Sequence, residues 1–154
     1  MKKKKILIGI MIAFLLTLTG CSLTEVTLNL KTNPSPLTFN NGDVKQDFEV
    51  VVETHGGVDK IKIDNILLEV KNEKEETIFR ANPQLDDTET YAVGGVTLRV
   101  DETLNLKEVF EKHEMTNEEF EVFYAQNLEG KNYTMEITLT GTQNSTFKTQ
   151  IVFN

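Results

Sequence analysis

The side chains that could do nucleophilic, acid–base or metal chemistry in this chain are few and far apart. The one cysteine is Cys21, and the two histidines are His55 and His113. His55 lies beside two glycines in a predicted loop, whereas His113 continues an apolar helical stripe, so a shared site would require two distant segments to meet. We therefore predict that His55 is a loop residue and that His113 is a partly packed helix residue.

A second candidate for chemistry is the acidic group Asp86, Asp87 and Glu89, which follows Asn82-Pro83. Closely spaced carboxylates can bind Ca²⁺, but the D-x-D-x-D-G spacing of a dedicated loop is missing, which favours a solvated turn. No G-x-S-x-G, S-x-x-K, H-E-x-x-H or phosphate-binding glycine loop occurs. We predict no catalytic residues, no metal and no cofactor, with an enzyme that uses an unrecognised pair of carboxylates as an alternative.

Cys21 stands at the end of a leader. Four lysines at positions 2–5 precede an uncharged run over residues 6–18, and small residues follow. The tetrapeptide Leu18-Thr19-Gly20-Cys21 resembles the lipobox of bacterial lipoprotein signal peptides. This resemblance covers residues 1–22 and implies a diacylglyceryl thioether on Cys21, with cleavage before it. Two acyl chains hold a protein stably at a membrane, so it also implies a lipid-anchored protein on the extracytoplasmic face of the cell membrane.

Other interpretations of the leader are weaker. An uncleaved transmembrane helix needs about 20 apolar residues, and the run is shorter. An ordinary secretory leader would leave the one cysteine of the chain in this position by coincidence. The octapeptide over residues 13–20 is similar to peptide pheromones that some Gram-positive bacteria cut from lipoprotein leaders, which makes a pheromone precursor a further alternative.

Composition predicts one acidic mature domain. Removal of residues 1–20 leaves 134 residues with 12 Lys and Arg against 24 Asp and Glu, so the net charge falls from −8 to −12. This length suits a single core, which we place at residues 21–154. Such acidity argues against nucleic acid as a partner and favours a basic one. Lysine outnumbers arginine by 14 to 2, which suggests an A/T-rich genome and favours a Gram-positive host.

Short alternating strands dominate the predicted elements. Apolar residues change phase between Ile63 and Ile66, so a bulge is expected at Asp64-Asn65. Gly94-Gly95 predicts a type I′ hairpin turn between two strands. The chain closes with a long hairpin over residues 133–153.

Helical periodicity interrupts the strands at about residues 105–128. Leu106, Val109, Phe110 and His113 share one helix face after Asn105 as N-cap, and Thr116 with Glu119 forms a capping-box pattern before a second helix. Seven glutamates give this insertion an acidic exterior: Glu108, Glu111, Glu114, Glu118, Glu119, Glu121 and Glu129. It is the place where we expect a basic partner to dock.

The elements together predict a mainly β, antiparallel sandwich with a two-helix insertion before the last two strands. The segment from Leu128 through Gly130 and Tyr133 to Met135 resembles the tyrosine corner of immunoglobulin-like and fibronectin type III domains. We predict a membrane-anchored, non-catalytic binding module for an envelope or extracellular protein or peptide. An immunity or exclusion lipoprotein and an unrecognised envelope enzyme are the alternatives.

Overall fold

Alternating apolar side chains produce the strands that make up most of the described chain. The computed structural model describes residues 26–57, 61–83, 90–92 and 94–154. Its elements are β1 (Thr27–Asn33), β2 (Leu37–Phe39), β3 (Lys45–His55), β4 (Ile61–Lys71), β5 (Thr77–Ala81), β6 (Thr90–Ala92), β7 (Thr97–Asn105), α1 (Leu106–Val109), α2 (Asn117–Asn127), β8 (Asn132–Gly141) and β9 (Ser145–Phe153). The leader, Cys21 and the Asp86–Glu89 group lie outside the described residues.

The described strands form two sheets. Sheet A has the order β1-β3-β7, and sheet B has the order β2-β9-β8-β4-β5, with β6 also paired to β4. All pairs are antiparallel except β2 with β9, which run parallel from Leu37↔Ile151 to Phe39↔Phe153. The prediction of a purely antiparallel fold is therefore wrong at this edge. The segment Asn33-Pro34-Ser35-Pro36 breaks the ladder after β1, and the chain then joins the other sheet beside β9.

Inward-facing side chains from both sheets form one core. β3 supplies Phe48, Val50 and Val52, and β4 and β8 supply two further alternating sets: Ile66, Leu68, Val70, Met135, Ile137 and Leu139. The predicted mainly β class is confirmed, as is the bulge, since the register of β4 with β8 shifts between Ile63 and Asn65. The bulge keeps apolar residues on the core face on both sides of the phase change.

The predicted hairpin at Gly94-Gly95 is wrong. β6 pairs with β4 in sheet B, whereas β7 pairs with β3 in sheet A, so this connection passes from one sheet to the other. The Gly95 N–H donates to the Thr54 carbonyl at 2.7 Å. A Cβ on Gly94 would overlap the Gly56 carbonyl oxygen, so glycine is required here for close backbone approach.

The first helix is shorter than its periodicity predicts. Asn105 caps α1 as expected, accepting from the Lys107 N–H at 3.1 Å, but the helix ends at Val109. The N–H of Lys112 bonds to the Lys107 carbonyl and that of Glu111 to the Glu108 carbonyl, with Glu111 at φ +54°. This is a Schellman end, in which the left-handed residue stops the helix. The predicted apolar stripe therefore does not reach His113.

The second helix begins as predicted. The Thr116 hydroxyl accepts from the Glu119 N–H at 3.2 Å, and the Glu119 carboxylate accepts from the Thr116 N–H at 2.8 Å, which completes the capping box. Phe120, Tyr124 and Leu128 are buried. The helix thus buries one face and exposes its acidic one.

The tyrosine hydroxyl that binds backbone in this region is that of Tyr124 rather than Tyr133. It lies 2.7 Å from the carbonyl oxygen of Phe39 and 3.0 Å from that of Asn154, which ties α2 to β2 and to the end of β9. Burial raises the pKa of this phenol. Tyr133 instead packs edge-on against Phe153, with ring centroids 5.5 Å apart, and among the described residues no carbonyl accepts from its hydroxyl. The hydrogen bond of a tyrosine corner is therefore not made by Tyr133.

Candidate functional site

The two histidines lie at opposite ends of sheet A. His55 is exposed at the end of β3, opposite Thr27 of β1. The start of β3 pairs with Asn105, directly before α1, and His113 is exposed shortly after that helix. His55 lies ten residue steps along β3 from Lys45, which corresponds to about 33 Å. The structure does not bring the two imidazoles together.

The described ranges also contain no group of three His, Cys, Asp or Glu side chains placed to hold a metal ion. In the same ranges no helix is both long enough and apolar enough to cross a membrane.

The glutamates of the helical insertion are exposed, as predicted. Two of them serve the helix ends, because Glu108 accepts from the Asn105 amide at 2.9 Å and Glu119 completes the capping box. The pKa of Glu118 is lowered, because its carboxylate accepts hydrogen bonds from the Glu118 backbone N–H and from the Thr116 hydroxyl. Negative side chains are stabilising near a helix N-terminus, so part of this acidity has a structural role.

A second acidic surface, which no local sequence pattern indicates, is a recess of about 750 Å³ on the outer face of sheet A. We call it the sheet A recess. Register places Asn33 of β1, Glu49 of β3 and Asp101 of β7 side by side in one row, and Asp47 beside Thr103 in the next. Its lining residues come from three strands separated along the chain. The alternation of Asp47 and Glu49 with apolar residues on β3 could be recognised in the sequence, but the position of Asp101 beside Glu49 required the register.

Few positive charges balance the sheet A recess. The Arg99 guanidinium lies 2.7 Å from Glu49 Oε2, and the Asn33 amide donates to the same oxygen at 3.3 Å. The Thr103 hydroxyl donates to Asp47 Oδ1 at 2.6 Å. Asp101 has no ion pair or hydrogen bond with any described side chain, although it lies directly opposite Glu49. Like charges in this relation repel, so the recess favours a further cation.

Two lining residues of the recess, Phe48 and Glu102, occupy inward-facing positions of their strands. Glu102 is half-buried on the inner face of β7, opposite Phe48, and burial raises the pKa of its carboxyl group. Asp101 and Glu102 are therefore adjacent acidic residues that point to opposite faces of the same strand.

Comparison with known proteins adds little to this geometry. No family model and no curated protein matches the chain. Among solved structures, the sporulation control protein Spo0M from Bacillus subtilis is similar over 84% of this chain and 49% of its own length, with TM-score 0.49 and 10% identity. A β-glucosidase from Listeria innocua matches with TM-score 0.41 and 13% identity over 84% of this chain and 16% of its own.

A β-glucuronidase of glycoside hydrolase family 2 is also similar, with TM-score 0.43 and 9% identity, over 86% of this chain and 12% of its own length. The chain thus spans about half of the first protein and less than a fifth of the other two. At these values the similarities carry no argument about activity or partner.

Proposed function

We propose that this protein is a membrane-anchored extracytoplasmic lipoprotein whose mature domain is a non-catalytic binding module. The observation that carries the proposal is the leader that ends in Leu18-Thr19-Gly20-Cys21. A diacylglyceryl group on Cys21 would anchor the domain stably. Thr27, where β1 begins, follows six residues later, which limits its distance from the lipid to about 20 Å.

The orientation that follows from such an anchor supports a binding role. β1 runs from Thr27 to Asn33, so the sheet A recess lies at the end of β1 that is farther along the chain from Cys21. The acidic insertion follows β7 at the same end, because Asn105 pairs with Lys45. An anchored domain would therefore present its acidic end away from the membrane, where a basic partner is accessible.

We also propose that the sandwich is of the immunoglobulin-like type. In such domains strands A, B and E share one sheet, and strands C, F and G share the other. The orders β1-β3-β7 and β9-β8-β4 correspond to A-B-E and G-F-C, with β5 as an added C′ strand. The helices would then occupy the E–F connection, and Tyr133 would lie at the start of strand F.

Lipid attachment is tested by labelling host cells with an alkyne fatty acid and measuring the intact mass of the membrane-extracted protein. We expect label on the wild-type chain, loss of residues 1–20, and no label on Cys21→Ser. A wild-type protein that keeps its leader and a free thiol would disprove the anchor.

Binding is tested separately by crosslinking on intact cells, with the full-length anchored chain as bait. We expect an envelope or extracellular protein or peptide that is absent when an unrelated lipoprotein of equal abundance is the bait. Recovery of only those species that the unrelated lipoprotein also captures would disprove the binding role.

A further inference from the structure

The edge of sheet A at β7 is long and is unpaired in the described part of the chain. β7 has nine residues and pairs with β3 on one side, and no described strand pairs with its other side. The opposite edge, β1, carries Lys31 near its centre, and lysine is a residue type that protects edges from pairing. At the edges of sheet B, β2 has three residues and β5 has five. β7 is therefore the edge best suited to receive another strand.

Hydrogen-bond register identifies the free backbone groups. Two bonds fix the phase of the β3–β7 ladder, Thr54 N–H to the Val96 carbonyl at 2.9 Å and Leu106 N–H to the Val44 carbonyl at 2.8 Å. Antiparallel ladders alternate between bonded and non-bonded pairs, so the even residues of β7 bond to β3. The N–H and C=O groups that point away from β3 belong to Thr97, Arg99, Asp101 and Thr103.

Side chains along β7 determine which kind of strand could pair with this edge. On the inner face, Leu98 and Val100 are half-buried against the core, and Glu102 follows them. On the outer face, Asp101 lies at the sheet A recess. An incoming strand would thus meet apolar surface beside Leu98 and Val100, and one carboxylate on each face beside residues 101 and 102.

We propose that β7 binds an extended cationic segment of a partner protein by antiparallel strand addition. Main-chain bonds to the four odd residues supply affinity, and side chains supply specificity, as in other cases of β-augmentation. Two adjacent basic residues in the incoming strand reach Glu102 on the inner face and Asp101 on the outer face. Apolar residues at alternate positions cover Leu98, Val100 and the edge beside Leu104. This inference rests on the proposed binding role and not on the lipid anchor.

A second copy of the chain is a poorer occupant. Antiparallel pairing of β7 with itself about its centre would place Asp101 directly opposite Asp101 of the other copy, with Glu102 opposite Val100. Like charges across a strand pair are destabilising, and an inward-pointing charge is one means by which edge strands avoid self-association. The charges that disfavour a second copy are the ones that favour a basic segment.

The test uses the full-length protein in detergent micelles and a fluorescent peptide of sequence Leu-Thr-Lys-Lys-Val-Thr-Val. In the proposed register its second lysine directs an N–H at Asp101, whereas its first lysine directs its N–H away from β7. N-methylation of the second lysine should weaken binding by about tenfold or more, and N-methylation of the first should leave binding nearly unchanged. Equal loss with both peptides, or no binding of the unmodified peptide, would overturn the proposal.

Amide hydrogen exchange gives an independent readout. In the free protein Val100 and Glu102 should be protected through β3, while Arg99 and Asp101 exchange fast; the peptide should protect the latter pair. If the Arg99 and Asp101 amides became protected without peptide, and more so at higher protein concentration, the edge would be occupied by a second copy of the chain. That result would overturn the proposal.

Matched charge variants separate local recognition from net charge. Asp101→Asn and Glu102→Gln should each weaken peptide binding several-fold, whereas Glu73→Gln, at an exposed residue between β4 and β5 of sheet B, should not. An equal effect of Glu73→Gln would overturn the assignment to β7. Because the assay needs neither lipid nor cells, it can fail while anchoring and cellular capture succeed, and it can succeed while they fail.

Discussion

Removal of the Tyr124 hydroxyl should measure how firmly the insertion is fastened to the sandwich. Tyr124 is fully buried, and its hydroxyl lies within hydrogen-bond distance of the Phe39 and Asn154 carbonyls. Phe39 retains one donor in the Tyr124→Phe variant, because the Asn154 N–H also bonds to its carbonyl at 2.9 Å. The loss should therefore be that of a single hydrogen bond, about 1 kcal/mol, rather than that of an orphaned buried carbonyl. For a domain of this size it corresponds to a fall in Tm of about 4 °C.

Tyr133→Phe is the matched control, because it removes the same atom from the same aromatic cluster. The Tyr133 hydroxyl has no described carbonyl as partner, and its ring packs against Phe110 and Phe153. We expect its free energy of unfolding to change by less than about 0.5 kcal/mol. Urea unfolding followed by far-ultraviolet circular dichroism measures both variants. A larger loss for Tyr133→Phe than for Tyr124→Phe would refute the reasoning and favour a tyrosine corner at Tyr133.

Three further changes test local features. Hydrogen bonds from Lys148 and Lys71 lower the pKa of Glu136. The ionised Glu136 carboxylate therefore stabilises the fold above its unfolded-state pKa, and this stabilisation is lost as pH falls through the folded-state pKa. The free energy of unfolding of Glu136→Gln, measured in urea, should consequently depend less on pH below about 5 than that of the wild type. Gly141→Ala should lower Tm by more than 5 °C in a thermal melt, because a Cβ there would overlap the Lys62 carbonyl. Glu111→Gly should raise the free energy of unfolding by up to about 1 kcal/mol in the same urea assay, because it relieves φ +54°.

Local sequence patterns were sufficient to predict the features that depend only on residues close together in the chain. The phase change between Ile63 and Ile66 predicted the bulge, since a buried face admits only one alternation. Thr116 and Glu119 predicted the capping box, because both hydrogen bonds lie within one turn. These features form wherever the segment is placed in the fold.

Features that depend on long-range pairing could not be predicted in the same way. Gly94-Gly95 has the composition of a hairpin turn, but the two flanking strands belong to different sheets, because β6 pairs with β4 in sheet B and β7 pairs with β3 in sheet A. His113 has the correct spacing for the apolar stripe of α1. The helix nevertheless ends before it, because Glu111 adopts the left-handed conformation that usually requires glycine or asparagine at this position. The sheet A recess required the β1–β3–β7 register, which no local pattern contains.

The outer faces of the two sheets differ in how their charges are balanced. On sheet B the carboxylates of Glu69 and Glu136 lie opposite each other and are only 13% and 15% exposed, and three cations serve them. Lys71 is one of the three, with Nζ 2.9 Å from Glu136 Oε2 and 4.0 Å from Glu69 Oε2.

On the outer face of sheet A, the recess carboxylates of Asp47, Glu49 and Asp101 have one guanidinium within ion-pair distance among the described residues, that of Arg99, which lies on Glu49. The charged row on sheet B is neutralised within the fold, so binding a further cation there would be only weakly favourable. The row on sheet A retains excess negative charge beside a strand edge that no described strand covers, so binding a cation there would be more favourable. Both properties coincide at Asp101, whose backbone and side chain are each without a partner in the described chain. The same residue therefore supplies the hydrogen-bonding edge and the charge, which is why a basic strand suits it better than a basic helix or an isolated cation.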